Sequence, residues 1–320
     1  MIRRHRVSAP AIGIALGTLT TLAALIACSA TAPGTGALLP TFASGARQLT
    51  FAPGDDFAPA WTPDGRSIAF VSDQQGGWNL WLLEPGSLTP RALTFGQFQY
   101  TNPFVMPDGR SIAVASDRGS ATRAWTDLWL LTLDGSQERR LISESPSVKE
   151  FSPVVSPDGR WLAYLDLPMN RPPQYRVVVM ELPAGLPRVL TEDRVVFSPI
   201  RFSPDSRWIL YSASTLGSPD VWTIGVDGAG ARALTMRPSN EFVGDYSPDG
   251  TTIAFVSNQS GADELWLMDP QGRQSRQLTR DGATASLPAF SPDAAQIAYT
   301  STRSGNQDIW LIGSGIGARP

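Results

Sequence analysis

The sequence predicts an all-β fold, a six-bladed β-propeller with four-stranded antiparallel blades closed by the N-terminal strand, and three observations carry that reading. A Pro-Asp turn recurs six times, with its prolines at 63, 107, 157, 204, 248 and 292, so that successive spacings are 44, 50, 47, 44 and 44 residues. Each turn is followed by a dense apolar run, such as Ile68-Ala69-Phe70-Val71. A tryptophan then follows at Trp81, Trp129, Trp222, Trp266 and Trp310, with Val178 in its place in the third repeat. Four short strands in a period of about 40 to 50 residues are the signature of a propeller blade.

Ahead of the repeats, residues 1–27 have the anatomy of an export signal, with Arg3, Arg4 and Arg6 at the start and an apolar stretch over 12–27. Leu25-Ile26-Ala27-Cys28 resembles the lipobox of bacterial lipoproteins. That resemblance implies that Cys28 becomes a lipidated N-terminus, with enough acyl chain for stable anchoring. Residues 28–45 are rich in Ala, Gly, Ser, Thr and Pro without periodicity, and read as a flexible tether. By lipoprotein sorting rules, Ser29 after the cysteine points to the periplasmic face of the outer membrane in a Gram-negative cell. In a single-membrane bacterium the same tether faces outward. The expectation is therefore a lipid-anchored, extracytoplasmic protein of the cell envelope.

The propeller is expected over 46–314. Each repeat opens with an Arg-x-Leu-Thr-like segment, as at Arg47-Gln48-Leu49-Thr50 and Arg91-Ala92-Leu93-Thr94, and a short strand then runs into the Pro-Asp turn. Strands that are apolar on both faces suit a blade sandwiched between two others. In the turn, proline presets φ, Asp suits the next position, and Gly takes the left-handed conformation that closes the hairpin. Ser206 and Ala294 depart from the Gly, and Ala294 is expected to carry strain if φ stays positive there.

The last repeat ends at Trp310-Leu311-Ile312 with no Arg-x-Leu-Thr segment after it, whereas residues 47–50 precede the first turn. The N-terminal strand should therefore supply the outer edge of the last blade and remove the open ends. A ring without a free sheet edge is expected to be a monomer.

These repeats, Arg-x-Leu-Thr, then Ser-Pro-Asp-Gly after an aromatic, then Ile-Ala-aromatic-x-Ser, then Asp-Leu/Ile-Trp, resemble the TolB-type six-bladed propeller from Arg47 to about Ile312. The resemblance implies an envelope interaction module without enzymatic activity. The TolB translocation protein carries an α/β domain ahead of its propeller, and here a short tether stands in that place. No residue that contacts Pal is carried over.

Composition narrows the function classes. Of 26 Lys and Arg, removing the three leader arginines leaves 23 against 29 acidic residues, scattered without a basic block, so nucleic acid is a poor partner. A single cysteine excludes a disulfide framework. The only histidine is His5, in the leader, so the mature chain has no imidazole for a Ser-His-Asp triad or a His-ligated metal.

In a propeller, the connections from outer strand to next inner strand share one face with those between second and third strands. That face usually holds the binding funnel. The candidate partner-binding residues there are Asp55, Asp56, Tyr100, Glu150, Asp193, Glu241, Asp245 and Asp281. Two insertions, over 117–126 and 166–175, make that side of the ring the expected asymmetric contact, the second as a stiff projecting loop. The Asp of each Pro-Asp turn lies at the opposite end and reads as structural, and the repeated Trp as core between blades.

The leading functional expectation is a non-catalytic envelope lipoprotein that binds a protein or peptide partner, with no cofactor. The alternative is a calcium-dependent hydrolase or lactonase, with Asp55, Glu150, Asp193, Asn240, Glu241 and Asp245 as oxygen donors to a metal in the channel. A carboxylate-pair glycosidase is formally open, a sialidase less so because its Ser-x-Asp box is missing.

Overall fold

A computed structural model describes residues 45–87, 89–120, 126–142, 148–169, 174–192, 195–214 and 217–316. Six four-stranded antiparallel sheets follow one another along the chain. Five take their strands in simple sequence order, inner to outer. The sixth is built from Ala285–Phe290, Gln296–Ser301 and Asp308–Gly313, and its outer edge is the N-terminal strand Arg47–Gln48. The closure expected from the surplus segment is thus present, with Arg47 opposite Leu311 and Gln48 opposite Trp310. Cys28 and the tether to residue 44 lie outside the described residues.

Five of the six Pro-Asp turns share one set of short-range bonds, and the second, with Met106 in place of the hydroxyl, keeps the Arg110 N–H to Asp108 Oδ1 bond at 2.8 Å. In the first blade the Thr62 hydroxyl donates to Asp64 Oδ1 at 2.6 Å and accepts the Ser67 N–H at 3.0 Å, while Asp64 Oδ1 also accepts the Arg66 N–H at 3.0 Å. Ser156, Ser203, Ser247 and Ser291 repeat the hydroxyl's role. The turn carboxylate is therefore structural, as its recurrence suggests. Ser206 and Ala294 do hold positive φ, at 62° and 60°.

The Arg-x-Leu-Thr segment divides its work among its residues. The Thr hydroxyl brackets the outer strand to the third: Thr50, Thr94, Thr191, Thr235 and Thr279 each accept a third-strand N–H at 2.9 Å. The Arg reaches the next blade. Arg47 donates to the Pro85 carbonyl, Arg91 to Leu133, Arg188 to Val226 and Asp227, Arg232 to Pro270, and Arg276 to Ser314. In the second blade Arg140 pairs instead with Asp127 at 2.8 Å.

The core lies between blades. The seam that closes the ring packs Leu49, Ile309 and Leu311 of the last blade against Ile68, Phe70 and Trp81 of the first. Burial of one Phe70-sized side chain contributes about 1.5–3 kcal/mol. Trp81 and Trp310 are buried, while Trp129, Trp222 and Trp266 pack against core clusters from partly buried positions.

One insertion differs from the loop expected over 166–175. The second strand of the third blade runs from Trp161 to Pro168 and pairs through Asp166 with Arg176 on Arg176–Glu181. Asp166 is buried and ion-paired to Arg176 at 2.5 Å, so the insertion begins as an extended hairpin. Residues 170–173 and 121–125 lie outside the described residues.

Candidate functional site

The loop face carries the candidate carboxylates, but most do not line an open funnel. Asp56, Glu150 and Glu241 occupy one repeat position, seven residues before the motif proline, in the first, third and fifth blades. All three are buried, at 1%, 1% and 0% exposure. A side chain at that position points into the seam between blades, and this is where sequence reasoning failed. Glu241 accepts the hydroxyls of Ser239 and Ser257, and burial raises its pKa. Burial pushes Asp56 up to about 6; the Ser72 and Thr50 hydroxyls oppose the rise and the Asp308 carboxylate adds to it. Tyr100, at the same position in the second blade, is a fully buried core residue whose hydroxyl accepts from Arg118 at 3.1 Å.

Two candidates do reach the rim. Asp55 accepts the Gln307 N–H at 3.0 Å and is half-buried. Asp281 is ion-paired with Arg303. Asp193 lies outside the described residues.

Asp245 sits deeper, at the waist of the channel, where Arg201 Nε approaches its Oδ1 at 3.7 Å and the Phe290 N–H donates to its Oδ2 at 3.0 Å. Burial raises Asp245 to about 6 against the pull of Arg201, and burial lowers Arg201. Sequence reasoning missed Arg201, yet a signal was available. Arg201 and Asp245 share a repeat position, three before the motif proline, that holds Ala60, Phe104, Val154 and Ala289 elsewhere.

The waist is also where the inner strands break register. Ala58, Asn102, Ser152 and Leu287 hold positive φ, at 56°, 52°, 51° and 51°, at the bulge of four inner strands. Each stands before a proline, which favours extended backbone in the preceding residue, so these positions are strained. Asn102 Nδ2 donates to Ser198 Oγ at 3.1 Å, and Ser198 Oγ donates to Ser152 Oγ at 3.3 Å, which links three blades. A small crevice lies here between Ala58, Asn102, Pro103, Pro199, Arg201 and Leu287.

Oxygen donors do not gather for a metal. Among the described residues no three His, Cys, Asp or Glu side chains form a metal-binding group. Glu150 and Glu241 lie on strands of different blades, and Asp245 faces a guanidinium.

The loop face also exposes large apolar side chains. Phe51, Trp78, Phe95, Met169 and Met236 are 49%, 37%, 66%, 49% and 86% exposed. All five lie on connections of that face, whereas Leu186 alone among the exposed large apolar residues described lies at the other end. Phe51, Phe95 and Met236 each follow the Thr of an Arg-x-Leu-Thr segment, a repeat-position signal that sequence reasoning passed over.

Six four-stranded blades closed by the first strand, with a bridged waist and an apolar loop face, define a closed six-bladed propeller. The chain belongs to the TolB beta propeller domain family, whose model matches residues 37–241 and 244–318. The uncharacterized protein Atu1656 of Agrobacterium fabrum is 26% identical over 178 residues, 56% of this chain and 57% of that protein. The Tol-Pal system protein TolB of Anaeromyxobacter dehalogenans is 36% identical over 107 residues, 33% of this chain and 23% of that protein. The chain thus spans less than two thirds of either relative. A TolB-type protein from Agrobacterium tumefaciens superposes with a TM-score of 0.64 at 22% identity, covering 82% of this chain and 91% of that one. An oligogalacturonate lyase in complex with manganese gives 0.60 at 17% identity, over 84% and 92%. A gluconolactonase from Xanthomonas campestris gives 0.61 at 15% identity, over 84% and 88%. At such identities the likeness is one of fold, which binding modules and enzymes share.

Proposed function

We propose that this chain is a non-catalytic, lipid-anchored lipoprotein of the cell envelope whose propeller is a protein or peptide interaction module. One observation carries the reading: five large apolar side chains stand exposed on the loop face, while Asp56, Glu150 and Glu241 are buried. Exposed apolar residues gathered on one face mark interaction surfaces. The lipobox-like run at Cys28 and the relative named for the Tol-Pal system support the envelope location. Less supports a calcium-dependent hydrolase or lactonase, because its oxygen donors stay apart among the described residues.

The test places a photo-crosslinking amino acid at Phe95, or at Arg66 in a turn at the opposite end, in the full chain in its native envelope. A discrete protein adduct from position 95 and none from position 66 is expected. Equal adducts from both, or none from 95 together with lactone hydrolysis by the purified chain, would overturn the reading.

A further inference from the structure

Three exposed aromatic residues of the loop face stand on adjoining connections that form a ledge. The connection between the second and third strands of the first blade, residues 73–78, is wedged between two outer-to-inner connections. On one side Asp73 Oδ1 accepts the Asp55 N–H at 2.9 Å. On the other, Asn79 Nδ2 donates to the Gly96 carbonyl at 3.1 Å, and the Tyr100 N–H donates to the Trp78 carbonyl at 2.8 Å. The fit is close: a Cβ on Gly77 would lie 2.5 Å from the Gly96 carbonyl oxygen. Phe51, Trp78 and Phe95 therefore stand on three adjoining connections, and Trp78 meets Phe57 edge to face at 5.3 Å.

The charge on this ledge has one sign. Between Gln48 and Pro90 the only cation is Arg66, in the Pro-Asp turn at the opposite end. Asp55 and Asp73 are half-buried on the ledge, and each uses Oδ1 to hold loop backbone. Next to the ledge, Arg118 stacks on Phe98 at 5.2 Å while Glu138 meets its charge. Aromatic faces with carboxylates behind them attract a cation on an apolar stem.

We propose that this ledge docks a cationic peptide segment of a protein partner. A Lys or Arg lies over Trp78 and Phe95, with Asp55 and Asp73 balancing its charge, and an apolar neighbour packs on Phe51. The carboxylates disfavour an anionic lipid surface at the same place. The inference rests on the interaction-module reading and names the chemistry of its partner.

The probe is a phage-displayed library of random 12-residue peptides panned on the full chain, with the selected peptides then measured in solution. Enrichment of Lys or Arg beside apolar residues is expected. Affinity should fall on the order of tenfold in Trp78→Ala and in Asp73→Asn, weaken with added salt, and hold in Leu186→Ser, whose exposed side chain lies at the opposite end. Thermal melts establish that each variant is folded, and Asp73→Asn keeps the test open if Trp78→Ala is not. Selected peptides without cations, or peptides lost in Leu186→Ser and not in Trp78→Ala, would overturn the ledge and leave the interaction module standing. So would binding to phosphatidylglycerol vesicles that Trp78→Ala abolishes. Failure to select any peptide would overturn both.

Discussion

Arg47 extends from the outer edge of the last blade and donates to the carbonyl of Pro85 in the first, at 3.1 Å. The residue that closes the last sheet thus also ties it to the blade where the ring began. Four other blades make the same kind of bond from the same motif arginine, but only at Arg47 does it join the last blade to the first.

Arg47→Ala should therefore cost about 1–2 kcal/mol in urea unfolding. Deletion of residues 47–50 should cost far more, since it also removes buried Leu49 and the Thr50 hydroxyl that accepts the Ile309 N–H at 2.9 Å. Wild-type stability after the deletion would sink the closure.

Ala294 and Ser206 both hold positive φ, yet the two should respond differently to glycine. Ala294→Gly relieves strain and should stabilise by about 0.5–1 kcal/mol. Ser206→Gly relieves the same strain but loses the hydroxyl that accepts the Asp158 N–H of the preceding blade at 3.1 Å. Its melting temperature should stay close to wild type. Equal gains at both positions would show that this inter-blade bond contributes nothing.

The buried Asp56 predicts how stability depends on pH. Its folded pKa, about 6, lies above the ordinary 3.8, so the folded state holds this proton more tightly than the unfolded chain. The stabilising contribution is fully present below about 4 and is lost as pH rises through about 6. The propeller should gain stability, on the order of 1–2 kcal/mol from this group, as pH falls from 7 to 5. Asp56→Asn should flatten that gain and raise the melting temperature at pH 7. A variant with the wild-type pH profile would contradict the assignment.

Arg201 and Asp245 form an ion pair where the other blades carry apolar residues. Arg201→Val alone strands a carboxylate in the waist and should cost about 2–3 kcal/mol. Adding Asp245→Ala should restore most of the loss, as expected for a partly desolvated pair with no large net contribution to stability. A double variant as weak as the single would mean that the pair positions something else.

Cys28→Ser should move the chain from the membrane fraction to the soluble envelope fraction without changing the melting temperature of the propeller. Retention in the membrane fraction would rule out lipid at Cys28 as the anchor.

Repeats made the ring legible in the sequence. A turn whose proline, Asp and Gly each meet a backbone requirement recurs six times, and a surplus first segment matches a missing last one. These are local chemistry and counting, and neither needs coordinates. The bonds made by Arg47, Arg91, Arg188, Arg232 and Arg276 were not legible, because each joins positions 38 to 42 residues apart along the chain.

By itself, then, the sequence determined the blade count, the strand order, the closure and the turn at Ala294 where strain was expected. The tertiary structure decided which side chains meet solvent. Asp56, Glu150 and Glu241 look like funnel carboxylates in a linear reading, but the neighbouring blade covers them. Phe51 and Phe95, each directly after the Thr of an Arg-x-Leu-Thr segment, stand exposed. Exposure depends on how adjacent blades pack, and that arrangement exists only once the ring has closed.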